Sequence, residues 1–433
     1  MPKESRHVTE LSRAVGLIDL TMLGASAAIG ASIFSVLAPA DEVARSGILL
    51  TTLIASVPMA IFALVYGFMA SVLPKSGASY EWPKEFIHPF VGFIVAWVNV
   101  LASVGALITL AMVTVQYLSR VLVLPERGTM LALFTMVFLV NVRGIHVAAR
   151  AQTVAMTLLL GSFFVYVLLG LPHVSLKLIG NPLTEGALPI LRATPLLITL
   201  FLGIEACTEV GEEVTDAKRT IPKALALAVA LTITVYMLVE FVTLGLLGPM
   251  RLGASSAPIF QAAAVVMGAW AAPVILVTAV LALLKSLNAL FIVFSRYLYA
   301  MARAGVLPAS MARIHPRWGT PYVAAAVAFA FTVVGLALPM NLVFLFVAVS
   351  IPMVLKYMCT CISALLMIRS RPELAASSAF PIEIRGIRRF AWGGVAAAIV
   401  ILLMGLNTDL KPYVLTGGWA ILGVLYWLLA QSP

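Results

Sequence analysis

The sequence predicts an all-α membrane protein of about twelve spanning helices, on three observations. Of the 433 residues, 62% are apolar and only 11% charged, against about a quarter charged in an ordinary soluble domain. A chain with a mean hydropathy of +1.07 cannot hide its apolar surface in one soluble core, so lipid is the expected solvent for most of its perimeter. Twelve apolar stretches approach or exceed the ~20 residues that carry a helix across the hydrocarbon layer. None alternates with the strict period of a barrel strand, and all carry the Ala, Gly, Ser and Thr that let helices pack on helices in lipid.

In chain order the first five spans are expected at 15–38, 48–72, 90–119, 129–144 and 152–172. A stretch over 173–192 with Pro182 and Gly180 reads as a loop. Five more spans follow at 193–214, 223–248, 272–298, 322–339 and 342–367, and a last pair at 391–406 and 411–430. With the N-terminus in the cytoplasm, the inward segments hold 19 of the 28 Lys and Arg residues and the outward segments seven. The positive-inside rule therefore places both termini in the cytoplasm. Basic loops lying against anionic lipid account for the net charge of +10 without any nucleic-acid partner.

Several classes are excluded. The N-terminal stretch to Leu20 is polar, lacks a small-residue cleavage site and leads into a full-length helix, so it does not read as a removable signal peptide. Cys207, Cys359 and Cys361 are too few and too deep for a disulfide framework. The five histidines, His7, His88, His146, His173 and His315, have no metal-ligand spacing, so neither a metal nor a cofactor is expected. No phosphate-binding loop or serine elbow appears, so the chain does not read as an enzyme or a primary pump.

Two spans are interrupted in matching ways. The first carries Gly24, Gly30, Ala31 and Ser32 midway, and the sixth carries Gly203, Ile204, Glu205 and Ala206 at a similar depth. Glycine lowers helix stability by about 1 kcal/mol, and unwound backbone is tolerated at membrane depth only where it lines a cavity or is buried in protein. The period is five helices. An odd period inverts the second copy, as in transporters built of inverted repeats. Close packing of small residues is the competing reading of either cluster alone.

Several strings resemble the amino acid–polyamine–organocation permeases. IGASIF at Ile29 to Phe34 is similar to that family's unwound first helix, and FLGIEACTEVGEEVTDAKRTIPKAL at Phe201 to Leu225 to its sixth helix and following loop. LPKSGASYEW from Leu73, NVRGIHVAARAQ from Asn141 and SRYLYAMARAGVLP from Ser295 resemble three of its connections. The resemblance implies a five-plus-five inverted-repeat core, with repeat one over 14–172 and repeat two over 190–367, and two peripheral helices over 391–430. It implies a secondary transporter of the cytoplasmic membrane, moving an amino acid or related zwitterion by alternating access. Symport with protons and exchange both remain open, and the chain is expected to work as a monomer or a weak oligomer.

It also implies a substrate site. Backbone N–H groups at Ile29, Gly30, Ala31, Ser32 and Ile33 would hold the carboxylate, with Phe201, Leu202, Ile204 and Glu205 opposite them for the ammonium. Where the family often has an aromatic gate, four residues before Gly203, this chain has Thr199. Phe201 or Trp97 is the expected substitute, or the pocket is roomier. The helix-five lysine that some proton-coupled members of that family keep is missing as well, since Val154 to Gly161 contains none.

Ionisable residues at membrane depth are the sharper signal, because a lone charge there costs at least about 2.5–3.5 kcal/mol. Lys285, Lys356, Glu205 and Glu240 are of this kind. Lys285 has three readings: a proton carrier replacing the missing lysine, an anion site shared with Lys356, or a permanent ion pair with Glu205 or Glu240. Ser286 and Asn288 are expected beside it, lining the cavity or packing helices. A dicarboxylate exchanger using both lysines is the alternative function, and a sensor without transport a remote one.

Overall fold

The computed structural model describes residues 11, 13–30, 32–119, 123–255, 257–337, 342–406 and 410–431. The chain runs through helices α1 (Leu17–Ala28), α2 (Ser32–Ala44), α3 (Ile48–Val72), α4 (Ala78–Phe86), α5 (Pro89–Leu118) and α6 (Glu126–Val142). Then come α7 (Ile145–Gly170), α8 (Leu176–Ile179), α9 (Ala187–Ile198), α10 (Ala217–Gly253), α11 (Pro258–Met267) and α12 (Ala271–Arg303). The last five are α13 (Tyr322–Gly335), α14 (Leu342–Ser370), α15 (Pro372–Ala376), α16 (Ile384–Leu406) and α17 (Lys411–Gln431). Among the described residues there is no strand, only two isolated bridges.

Ten helices among the described residues are long and apolar enough to cross a membrane. The expected fourth and ninth spans are the shorter α6 and α13, which pack on each other. The perimeter is apolar: Val154, Leu158, Phe164 and Leu168 on α7 and Val414, Ile421, Leu425 and Leu428 on α17 are exposed. Such faces would drive aggregation in water and are the expected contact with acyl chains. The chain is a multi-pass membrane protein.

Three expectations are corrected. The sixth span is helical only to Ile198; beyond it the chain makes 3-10 turns over Thr199–Phe201, Ile204–Thr208 and Gly211–Glu213. Gly203 causes the change, because its φ of +101° is a left-handed conformation that a side chain disfavours. The 173–192 loop contains α8 and the first turns of α9, and α11, a ten-residue helix, was not foreseen. Arg296, counted above among the inward basic residues, lies inside α12 and is buried.

The two broken spans are fastened together at one end. Val15, just before α1, bridges to Val214, and the N–H groups of Ala14 and Val15 both donate to Glu213 O, at 3.1 and 3.0 Å. Beside them Gly77 N donates to Glu209 O at 2.9 Å, bringing the start of α4 against the same segment. A bidentate pair, Arg296 to Glu213 at 2.8 Å for both bonds, ties α12 to it as well. The apolar core thus surrounds two breaks held at fixed separation by buried polar bonds.

Candidate functional site

The first break lies between α1 and α2, where Ile29 and Gly30 leave the helix. A helix end leaves its last carbonyls without intrahelical donors, and in lipid water cannot supply them. Here side chains do so. Lys285 Nζ donates to Ser26 O at 2.8 Å, to Ile29 O and to Ser286 Oγ at 3.3 Å, and Ser286 Oγ donates to Ser26 O at 2.9 Å. The Tyr236 hydroxyl donates to Ala28 O at 2.7 Å and lies 3.0 Å from Leu200 O, so one tyrosine of α10 touches both broken spans. The ammonium of Lys285 also sits at the negative end of the α1 dipole, where a cation is favoured. Gly30 makes this closeness feasible: a Cβ there would lie 2.5 Å from Ser286 Oγ.

The second break is at Leu202 and Gly203. Tyr357 on α14 accepts from Gly203 N at 3.1 Å and donates to Glu205 Oε2 at 2.5 Å. Its ring is fixed against Phe62 and Tyr66 of α3, with centroids 5.0 and 5.8 Å away. Lys356, one residue before it, forms a buried ion pair with Glu205 Oε1 and donates to the Tyr297 hydroxyl at 3.0 Å. Thr208 and Cys207 cap the carbonyls of Glu205 and Ile204 from within the turn.

Between the breaks lies a cavity of about 90 Å³. Gly30 and Ser32 line it from the first break, and Thr199 and Leu202 from the second. Ala106, Thr109 and Leu110 of α5, Ser286 and Leu290 of α12, and Val349, Ser350 and Met353 of α14 complete the wall with Ala27 and Ala28. The wall is aliphatic and hydroxylic, and none of these residues is charged. A second cavity of about 20 Å³ shares Ala106, Leu290, Val349 and Met353 with it and reaches Gly203, Glu205, Tyr297 and Lys356. A larger cavity, about 500 Å³, opens where the N-terminal segment meets the bundle; Arg13, Lys75, Lys218 and Arg303 line it against Glu212 and Asp216, with Lys75 and Arg303 both pairing with Glu212 at 3.5 and 2.5 Å, and it touches neither break.

The sequence-selected residues divide accordingly. Gly30, Ser32, Leu202, Thr199, Ser286, Glu205 and Lys356 meet around the two cavities. Ile29, Ile33 and Ile204 are buried in the apolar core behind them, and Ala31 lies outside the described residues. Phe201 turns into the core edge-on to Tyr236, with centroids 5.6 Å apart, and does not line the cavity. Trp97 stacks on Trp419 at 4.8 Å, in the seam between α5 and α17, with each indole N–H donating to the other residue's carbonyl. Neither replaces the aromatic gate, and the cavity wall contains no aromatic ring.

Lys285 pairs with neither Glu205 nor Glu240, because backbone carbonyls take its protons. Glu240 accepts from Thr52 at 2.7 Å and shares its buried surroundings with Asp41 of α2. Asn288 donates to Ala148 O and Gln152 Oε1 and accepts from Asn141, which knits α12 to α7 and α6 away from the cavity. Sequence reasoning missed Tyr236, Tyr357, Tyr297 and Glu209. Glu209 carried a signal, standing one turn beyond Glu205 in a span otherwise apolar at that depth; the tyrosines carried none, since a tyrosine in an apolar span packs as readily as it caps.

A model of the amino acid permease family matches residues 15–427. An uncharacterised transporter of Mycobacterium tuberculosis is 33% identical over 334 residues, covering 76% of this chain and 75% of that one. The branched-chain amino acid permease BcaP of Bacillus subtilis is 23% identical over 72% of each chain. The low-affinity putrescine importer PlaP of Escherichia coli is 23% identical over 74% of this chain and 73% of its own.

Proposed function

The chain belongs to the amino acid permease family, and on that premise we propose that it is a secondary transporter for a neutral amino acid with a small or aliphatic side chain, working by alternating access. The observation that carries this reading is the cavity between the breaks, whose wall is small, aliphatic and hydroxylic without a charged side chain. The substrate carboxylate would meet the N-terminal end of α2 beside Gly30 and Ser32, where the helix dipole favours an anion. Its ammonium would meet the carbonyls near Gly203 and the carboxylate of Glu205, which lines the adjoining cavity. The side chain would lie among Ala106, Leu290, Val349 and Met353. The name of the Bacillus relative, a branched-chain amino acid permease, supports that class.

Lys285 acts here as a fastener, holding the end of α1 through the carbonyls of Ser26 and Ile29. A dicarboxylate would need cations facing it, and both lysines are engaged, Lys285 by backbone and Lys356 by Glu205. The site belongs in the cytoplasmic membrane with both termini inside, the orientation supported by the distribution of Lys and Arg.

Thermal stabilisation of the purified protein across amino acids, polyamines and mono- and dicarboxylates tests the reading, because a ligand of the folded state raises stability by mass action. Stabilisation by neutral aliphatic amino acids, with counterflow of the same compounds in proteoliposomes, is the expected result. Stabilisation by carboxylates lacking an amine, or by polyamines alone, would overturn it.

A further inference from the structure

A second carboxylate stands one turn beyond Glu205, and a continuous hydrogen-bonded chain links the two. Lys356 Nζ donates to Glu205 Oε1 and, at 3.0 Å, to the Tyr297 hydroxyl. Tyr297 in turn donates to Glu209 Oε1 at 3.2 Å. Glu209 also accepts from the Ser79 hydroxyl and, at 3.2 Å, from Ser79 N at the start of α4, and the Ser79 hydroxyl lies 3.2 Å from that of Tyr66. Every member is buried, and Glu209 is fully so. Among the described residues Glu209 has no ion pair, so two carboxylates share one ammonium.

We propose that Lys356, Tyr297 and Glu209 form a proton relay whose acceptor is Glu209 and whose effect is to release Glu205 for the ammonium of the substrate. This rests on the transport reading above and adds to it a proton site that the cavity does not contain. The step is balanced. The Lys356 ammonium gives a proton to the Tyr297 oxygen, the Tyr297 hydroxyl gives its own to Glu209, and the result is a neutral amine, an intact phenol and a carboxylic acid. Glu205 then keeps its charge but loses its cation, leaving it to the substrate. Before the step, the same carboxylate is neutralised and a substrate ammonium must compete with Lys356.

Glu209 is built to exist in both states. The ionised form is held by the Ser79 N–H, the Ser79 hydroxyl and the Tyr297 hydroxyl, at the positive end of α4. The neutral form keeps the Ser79 bonds and turns its own proton toward Tyr297. The groups facing it from the packed elements are Tyr66 of α3, Ser79 of α4, Tyr297 of α12, and Lys356 and Tyr357 of α14, with Glu205 on its own segment. The nearby Arg296 is already consumed by Glu213, so Lys356 is the one cation in that set.

Infrared spectra of the full-length protein in lipid, compared between the native chain and Glu209→Gln at one pH, test the acceptor without any substrate, because the transfer conserves protons. A carbonyl stretch of a protonated carboxylic acid should be present in the native chain and missing in Glu209→Gln; identical spectra would overturn the assignment. The relay is tested by Tyr297→Phe, which keeps the ring and both charged ends. Affinity for the amino acid that stabilises the native protein should fall on the order of tenfold, the equivalent of one pKa unit of competing interaction, and the carbonyl band of Glu209 should be lost with it. Native affinity and a native carbonyl band in this variant would overturn the relay. Failure of every amino acid to bind the native chain would sink the transport reading instead, and the infrared result would still decide Glu209.

Discussion

Replacing Lys356 with Met keeps the reach of the side chain and removes only the ammonium from Glu205. The two side chains are 1% and 6% exposed, so water cannot take over the lost interaction. Breaking such a buried pair costs about 3–5 kcal/mol, because one charge is left uncompensated. The Tyr357 hydroxyl, 2.5 Å from the other oxygen, stays in place, and a bond to a charged group contributes about 1.5–3 kcal/mol. The expected loss therefore sits at the low end, near ~3 kcal/mol. Glu205→Gln should cost a similar amount, since Lys356 then loses its counter-charge and keeps only neutral acceptors beside it. The double replacement should be milder than the sum by about 2–3 kcal/mol, as coupled neighbours behave. Reversible unfolding in mixed micelles, followed by tryptophan fluorescence, reads all three. Additivity within about 0.5 kcal/mol would show that the pair is a contact without energetic coupling, and the account of the second break would fail with it.

Two further outcomes follow from the geometry. Gly30→Ala places a Cβ 2.5 Å from Ser286 Oγ, and overpacking of about 1–3 kcal/mol should appear as weaker ligand-induced stabilisation, recovered when Ser286→Ala is added; absence of recovery would separate Gly30 from Ser286. Arg296→Met removes the bidentate partner of Glu213 and should lower stability by about 3–5 kcal/mol while the ligand-induced rise in melting temperature persists; loss of that rise would place Arg296 in the binding machinery.

How much was legible in the sequence depends on which physical term decides each feature. Lipid-spanning helices follow from composition and length alone, and the breaks from glycines set at matching depths in two spans five helices apart. Gly203 illustrates the strength of that signal, because its left-handed backbone is a property of one residue type. What closes each break could not be read. Tyr236 stands 36 positions from the Leu200 carbonyl and 208 from that of Ala28, and nothing local marks it off from a packing tyrosine. Thr199 announced the lack of an aromatic gate, yet Phe201 and Trp97 looked equally able to replace it until helix rotation put one in the core and the other on α17. The short 3-10 turns after Gly203 were hidden as well, since two of their backbone groups are satisfied from afar, Gly203 N by Tyr357 and Glu209 O by Gly77 N.

The two lysines make the same point about function. They are one residue type at one depth, and sequence gave them shared readings; partners distinguish them. Lys285 meets carbonyl dipoles and one hydroxyl, so its charge is solvated but not cancelled. Lys356 faces Glu205 directly and Glu209 through Tyr297, so with every group ionised that cluster carries one net negative charge. With Lys285 protonated, the first break is positive and the second negative, with an uncharged wall between them. In a site that water barely screens, such a field acts over the length of a small ligand. In the proposed site a carboxylate at α2 and an ammonium at Glu205 would lie along it, whereas a dicarboxylate or a diamine would set one of its ends against a like charge. On that reading the polarity of the two breaks would favour a zwitterion before any side-chain contact contributes.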